Sequence, residues 1–228
     1  LSYITIRGAR KRDHPQSFSY HEPWWPAYHV MASYFTRLSF IMSQGRQVNR
    51  VLVIEPTTTA WMYQGDPKQK EIGDRFQALL MALEKAQVEY DIGCEDILAR
   101  HGSTEGPNLK VSQASYDTVV LPPLTENLNH PTMDLLDAYL KANGVVFCCG
   151  DAPARVDGRS SARGRAASQQ RGWKRIETSE VPTSLLVRAR DGFAITSAEN
   201  SGKGIVFHHR RMVEGGEYVL LVNTSLDE

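Results

Sequence analysis

Four short strand-like runs, spaced along the middle of the chain, constrain its fold more than any other feature. They are Val51-Leu52-Val53-Ile54, closed by Pro56; Glu89-Tyr90-Asp91-Ile92; Thr118-Val119-Val120-Leu121, closed by Pro122-Pro123; and Val145-Val146-Phe147-Cys148-Cys149, running into Gly150. Three of the four are almost wholly apolar, which suits strands covered on both faces. Helical patterns separate them. Ile72, Phe76, Leu79, Leu80 and Leu83 trace one side of a helix between about Gln69 and Gln87. Pro131 opens another that carries Met133, Leu136, Ala138 and Leu140, with Gly144 at the expected C-cap. Strands alternating with helices predict a parallel sheet with helices on both faces, because parallel neighbours need right-handed crossovers.

The flanking segments complete the expectation. From Pro26 to Gln44, Val30, Met31, Tyr34, Phe35, Leu38, Ile41 and Met42 recur at helical steps, predicting a helix with a broad buried face that ends at Gly45. Residues 1–25 have no periodicity and read as a linker packed against something else. A short hairpin is expected around Leu109-Lys110-Val111. Residues 150–180 scatter arginines among Gly, Ser and Ala, with Trp173 the first large apolar residue, and read as an exposed, mobile loop. Strands are expected at Ser184-Leu185-Leu186-Val187, Phe193-Ala194-Ile195, Gly204-Ile205-Val206-Phe207 and Tyr218-Val219-Leu220-Leu221-Val222, with a hairpin at Gly215-Gly216, as an antiparallel C-terminal extension of the sheet. The expected fold class is α/β: a flavodoxin-like, or class I amidotransferase-like, three-layer sandwich with a mainly parallel sheet over residues 26–228.

Composition narrows the partners. The 228 residues hold 41% hydrophobic and 23% charged side chains, enough for a sizeable core. Lys and Arg balance Asp and Glu at 26 each, so no global field draws in nucleic acid or an acidic membrane surface. No apolar run approaches the roughly 18 residues of a bilayer span, and the start lacks a signal-peptide pattern. Three cysteines make no disulfide framework and no zinc spacing, and Gly202-Lys203-Gly204 lacks the glycine spacing of a phosphate loop. No metal and no cofactor is expected. The chain begins at Leu1 without Met and stops after a strand-like run, so it is expected to be a piece of a longer protein, whose compartment the missing signal does not reveal.

Two places could carry chemistry. Cys148-Cys149-Gly150 stands at a strand's C-terminal end, where open parallel sheets bind ligands. A nucleophile elbow needs small residues on both sides of the turn; here Gly150 is kept but Val146 takes the other small position. A catalytic thiol also needs an imidazole base, for which His208 and His209 are the neighbouring pair. The competing reading of Cys148 is inert core packing. The second place is Trp24-Trp25 beside Glu22: indole faces stack on sugar rings and a carboxylate bonds hydroxyls. A lone carboxylate is half a glycosidase site, and such tryptophans more often anchor a linker to a domain surface.

The run Tyr20-His21-Glu22-Pro23-Trp24-Trp25, followed by Tyr34-Phe35-Thr36-Arg37-Leu38-Ser39 and Ser43-Gln44-Gly45, resembles a junction in large bacterial glycoside hydrolases of the α-L-rhamnosidase type. Phe207-His208-His209-Arg210-Arg211 with Tyr218-Val219-Leu220-Leu221-Val222-Asn223 is similar to a strand pair that precedes their β-sandwich domains. The resemblance implies a non-catalytic accessory domain, related to the trimerisation domain of β-galactosidases and to class I glutamine amidotransferases. Its implied partners are the catalytic barrel of the same parent chain, further copies of that chain, and the parent's carbohydrate substrate. The parent would be bacterial, cytoplasmic or exported. Glu22 departs from the glutamine the family pattern carries, and no acidic residue stands two positions after His208 or His209, as an amidotransferase set requires. The alternative expectation is an amidotransferase-like or DJ-1-like enzyme using Cys148.

Overall fold

The computed structural model describes residues 20, 23–189, 193–195 and 205–224, and the chain divides into two units, Leu1–Gln47 with Arg210–Tyr218 and Val48–His209 with Val219–Glu228. Most of the expected 1–25 linker lies outside the described residues, as does Gly204.

In the first unit a 3-10 turn, Trp25–Ala27, leads into α1 (Tyr28–Ser43). The helix stops where predicted. Gly45 takes the left-handed conformation (φ +55°), and a Cβ there would lie 1.9 Å from the Met212 carbonyl oxygen. Arg46 and Met212 pair in an antiparallel bridge, and the Arg211 guanidinium donates to the Gln44 and Gly45 carbonyls. The predicted buried face of this helix is not found: no residue of α1 is buried, and Tyr34 and Phe40 are 57% and 66% exposed. One helix cannot enclose its own apolar side chains, and the described part of this unit offers little else to cover them.

The second unit is built on a five-stranded parallel sheet. β1 (Val51–Ile54) is followed by α2 (Thr57–Met62) and α3 (Pro67–Lys85), whose start is capped by Asp66 accepting from the Lys68 N–H. Then come β2 (Tyr90–Gly93), α4 (Glu95–His101) and an antiparallel meander of β3 (Gly102–Glu105), β4 (Asn108–Val111) and β5 (Ala114–Tyr116). β6 (Thr118–Leu121), β7 (Asn127–Leu128), α5 (His130–Lys141) and β8 (Val145–Cys148) follow. Next are β9 (Arg155–Val156), β10 (Arg159–Ser160), α6 (Arg163–Ala167), β11 (Trp173–Arg175) and α7 (Val181–Ala189). The hairpin of β12 (Val206–Val213) and β13 (Gly216–Asn223) closes the described chain.

The main sheet has the order β11-β8-β6-β1-β2, which is 2-1-3-4-5 when only its own strands are counted. Val51 lies opposite both Tyr90 and Thr118, Thr118 opposite Val145, and Val146 opposite Trp173. Side chains alternate between two cores. Leu52, Ile54, Val119, Leu121 and Val146 cluster with Leu98 of α4 and Met133, Leu136 and Tyr139 of α5. Val51, Val53, Val120 and Phe147 cluster with Leu79 and Leu83 of α3 and Val181 and Leu185 of α7. Each such side chain contributes about 1.5–3 kcal/mol by leaving water.

Several expectations are corrected. Residues 150–180 are not an open loop: they hold β9, β10, α6 and the fifth sheet strand, β11. Lys174 and Arg175 hid that strand, and charged side chains suit a sheet edge, which β11 occupies. Ser184–Val187 is helical, inside α7, because Val181 and Leu185 at a four-residue step cover the second core while Val187 faces out. Residues 193–195 form no strand; the Ile195 backbone instead exchanges two hydrogen bonds with the Gln87 side chain. β12 and β13 pair as predicted but make a two-stranded sheet of their own, not an extension of the main one.

At the end of α5 the left-handed residue is Asn143 (φ 67°), not Gly144. Gly144 is required for another reason: a Cβ there would lie 2.3 Å from the Tyr139 ring, which is fully buried. Gly144→Ala is therefore expected to lower the unfolding free energy by about 1–3 kcal/mol, read as a lower urea midpoint with an unchanged slope.

Candidate functional site

In an open parallel sheet, ligands bind beyond the carboxyl ends of the strands where the strand order reverses, here between β1 and β6. In this chain that place is filled by its own polar groups. The Thr59 hydroxyl, at the start of α2, accepts from the Glu126 and Asn127 N–H groups (3.1 and 2.9 Å) and lies 3.2 Å from the Asn127 carbonyl. Glu95 accepts from the Thr58 hydroxyl at 2.5 Å and from the Asn129 N–H at 2.6 Å. Thr59, Glu95, Thr125 and Asn127 are all buried. Nearby, Glu126 takes hydrogen bonds from Tyr63 (2.6 Å) and Lys68. Burial works to raise the Glu126 carboxyl pKa, but the Lys68 and Tyr63 bonds outweigh it and hold the group below the usual range.

Cys148 ends β8 and is 1% exposed, with its Sγ donating to the Asp151 carbonyl at 3.4 Å. Burial pushes both the Cys148 and the Cys149 thiol up to about 12. Neither cysteine has a positive φ, so the strained geometry of an elbow nucleophile is not built here. His208 lies on β12, stacked on Phe193 with ring centroids 5.1 Å apart and its Nε2 3.4 Å from the Glu89 carboxylate. Glu89 immediately precedes β2, at the amino end of the sheet, whereas Cys148 is at the carboxyl end. Three strand spacings, about 14 Å, also separate β8 from β2. Cys148 and His208 are thus not brought together, and His209 follows His208 on the same strand.

Trp24 and Trp25 are partly exposed, and both rings gather around Tyr28, Trp25 stacked on it at 5.4 Å. Glu22 lies outside the described residues. Among the described residues no group of three or more His, Cys, Asp or Glu side chains is placed to hold a metal ion, and no helix is long and apolar enough to cross a membrane.

A cleft that the sequence reading missed, of about 850 Å³, opens beyond β8 and β11. Its walls come from the turn after β8, where Gly150 has φ +124°, and from α6 and the end of β11. α6 approaches that turn closely: a Cβ on Gly164 would lie 2.1 Å from the Pro153 carbonyl oxygen. Asp151 pairs with Arg175 at 3.2 Å, and Trp173, Arg165 and Gln169 complete the lining. The sequence signals were Gly150 at the end of β8, where sheets of this kind bind ligands, and Trp173, a buried aromatic within an arginine-rich run.

No family model and no curated protein sequence matches the chain. Its fold is similar to part of a solved rhamnosidase from Novosphingobium sp. PP1Y, with a TM-score of 0.62 at 17% identity over 92% of this chain. It is also similar to part of an apo exo-carrageenase GH42 from Bacteroides ovatus, with a TM-score of 0.56 at 13% identity over 86% of this chain. The match spans only 20% and 26% of those two chains.

The buried thiols give two checks. A thiol-selective reagent at neutral pH should leave Cys148 and Cys149 unlabelled in the folded chain and reach them in denaturant; rapid native labelling of Cys148 would contradict its placement. Both groups ionise near 9 when exposed and only near about 12 when folded, so the folded state retains protons that the unfolded state loses. Stability should therefore fall as pH rises from about 9 toward 12, seen as a lower urea midpoint at pH 10 than at pH 8.

Proposed function

We propose that this chain is a non-catalytic accessory domain of a glycoside hydrolase, packing through α1 against the catalytic barrel of the same parent chain. The observation that carries the reading is α1 itself. Its sixteen residues include Val30, Met31, Tyr34, Phe35, Phe40 and Ile41, all exposed, with Trp24 and Trp25 exposed just before it. A helix this apolar is ordinarily buried, and a patch of this kind marks a surface that works covered.

The likeness to a part of each of two glycoside hydrolase chains supports the same reading, since it matches one portion of a larger protein in both cases. Strand order 2-1-3-4-5 supports the finer description as a flavodoxin-like layer sandwich of the amidotransferase and β-galactosidase trimerisation type. Fold alone carries no activity. The buried polar seal at the strand-order reversal and the separation of Cys148 from His208 favour a supporting role over an amidotransferase-like one.

The chain on its own is expected to release no product from aryl α-L-rhamnosides or aryl β-galactosides, and turnover above background would overturn the proposal. With its barrel absent, α1 should drive association, detected as a concentration-dependent sedimentation coefficient. Phe35→Asp combined with Phe40→Asp should abolish that dependence without altering the circular dichroism spectrum; a wild-type chain that stays monomeric at high concentration would count against α1 as the contact face.

A further inference from the structure

The cleft beyond β8 and β11 carries an unbalanced charge that packing against a barrel does not explain. Arg175 is matched by Asp151 at 3.2 Å, whereas the Arg165 guanidinium has no ion pair or hydrogen bond among the described residues. A guanidinium offers a planar fork of donors that fits a carboxylate or sulfate edge. Around it the lining supplies small neutral hydrogen-bonding groups, the Ser160 and Ser161 hydroxyls and the Gln169 amide. Trp173 borders the same space but is only 8% exposed, packed into the core beneath it. The turn that shapes the opening is anchored from below by the Cys148 thiol on the Asp151 carbonyl, which gives that cysteine a structural task. At about 850 Å³ the space is of the size that takes a small ligand.

We propose that this cleft binds an acidic sugar residue, with Arg165 taking its carboxylate or sulfate and the Ser160, Ser161 and Gln169 side chains taking ring hydroxyls. The anion is argued from the exposed Arg165 guanidinium, which lacks a partner within the cleft, and the choice of a sugar rests on the accessory-domain reading.

Calorimetric titration of the 228-residue chain with sodium glucuronate, galactose 6-sulfate, glucose and inorganic sulfate separates these elements. At least one acidic sugar should bind in the millimolar range, roughly tenfold or more tighter than glucose and inorganic sulfate, and the stronger of the two identifies the anion's source. Arg165→Ala should remove that binding, while Arg171→Ala, which deletes the same charge at an exposed neighbour outside the cleft, should retain it. Circular dichroism of both variants checks folding, and Arg165→Lys should restore part of the affinity. The proposal is overturned if neither acidic sugar binds, if glucose binds as well, if both arginine variants lose binding alike, or if inorganic sulfate matches the sugars. Aryl glycoside turnover by the chain would sink the accessory-domain reading and leave an Arg165-dependent titration standing.

Discussion

Removing both faces of the parallel sheet from water is the constraint on which the rest of this structure depends. Every residue of β1 and β6 is buried, and their side chains alternate between one core completed by α4 and α5 and another completed by α3 and α7. A two-sided core makes both helical layers obligatory, because a bare sheet face would leave a contiguous apolar surface in water. It also places the polar variation at the margins. β2 and β11 border the sheet, and there Asp91, Lys174 and Arg175 are tolerated.

The same constraint shapes what chemistry the unit can hold. With its centre dry, polar groups beyond the strand ends must find partners inside the protein: Thr59 finds them on the Asn127 backbone, and Glu95 on the Thr58 hydroxyl and the Asn129 N–H. That seal occupies the place where a sheet of this order would otherwise open to a ligand. It leaves Cys148 and Cys149 as core residues whose protonated form burial favours. Open space beyond the strands moves one step toward the sheet edge, to the cleft over β8 and β11, where arginines replace the nucleophile as the distinctive side chains.

The central strands were legible because their residues are alike under any reading: a four-residue apolar β-branched run between turn formers has few other uses. β1 and β6 fall where the pattern put them, and α3 and α5 within about two residues. Edges and covers were harder. β11 has only Trp173 to mark it, and its Lys174 and Arg175 read equally as solvated chain until the neighbouring β8 is known. α7 looked like a strand because Leu185, Leu186 and Val187 suit either state; position over a core that needed a second helix decided it. For α1 the period was right and the burial wrong, since periodicity reports which side chains share a face and not what lies against them. For the site, a thiol and an imidazole could be picked out by type, but their separation is a matter of strand order and strand end.

The amino-acid sequence by itself determined the alternation of apolar strands and amphipathic helices, the parallel α/β class that follows from it, and the residue types available for chemistry. These are local properties, set by spacing and side-chain chemistry along a few residues. Tertiary structure alone decided which strands are neighbours, that Gly144 must clear the Tyr139 ring, that Thr59 and Glu95 close the strand-order reversal, and that Arg165 shares a cleft with Trp173. Those outcomes join residues far apart in the chain, and their partners are chosen by the packing of whole layers, which no local pattern encodes.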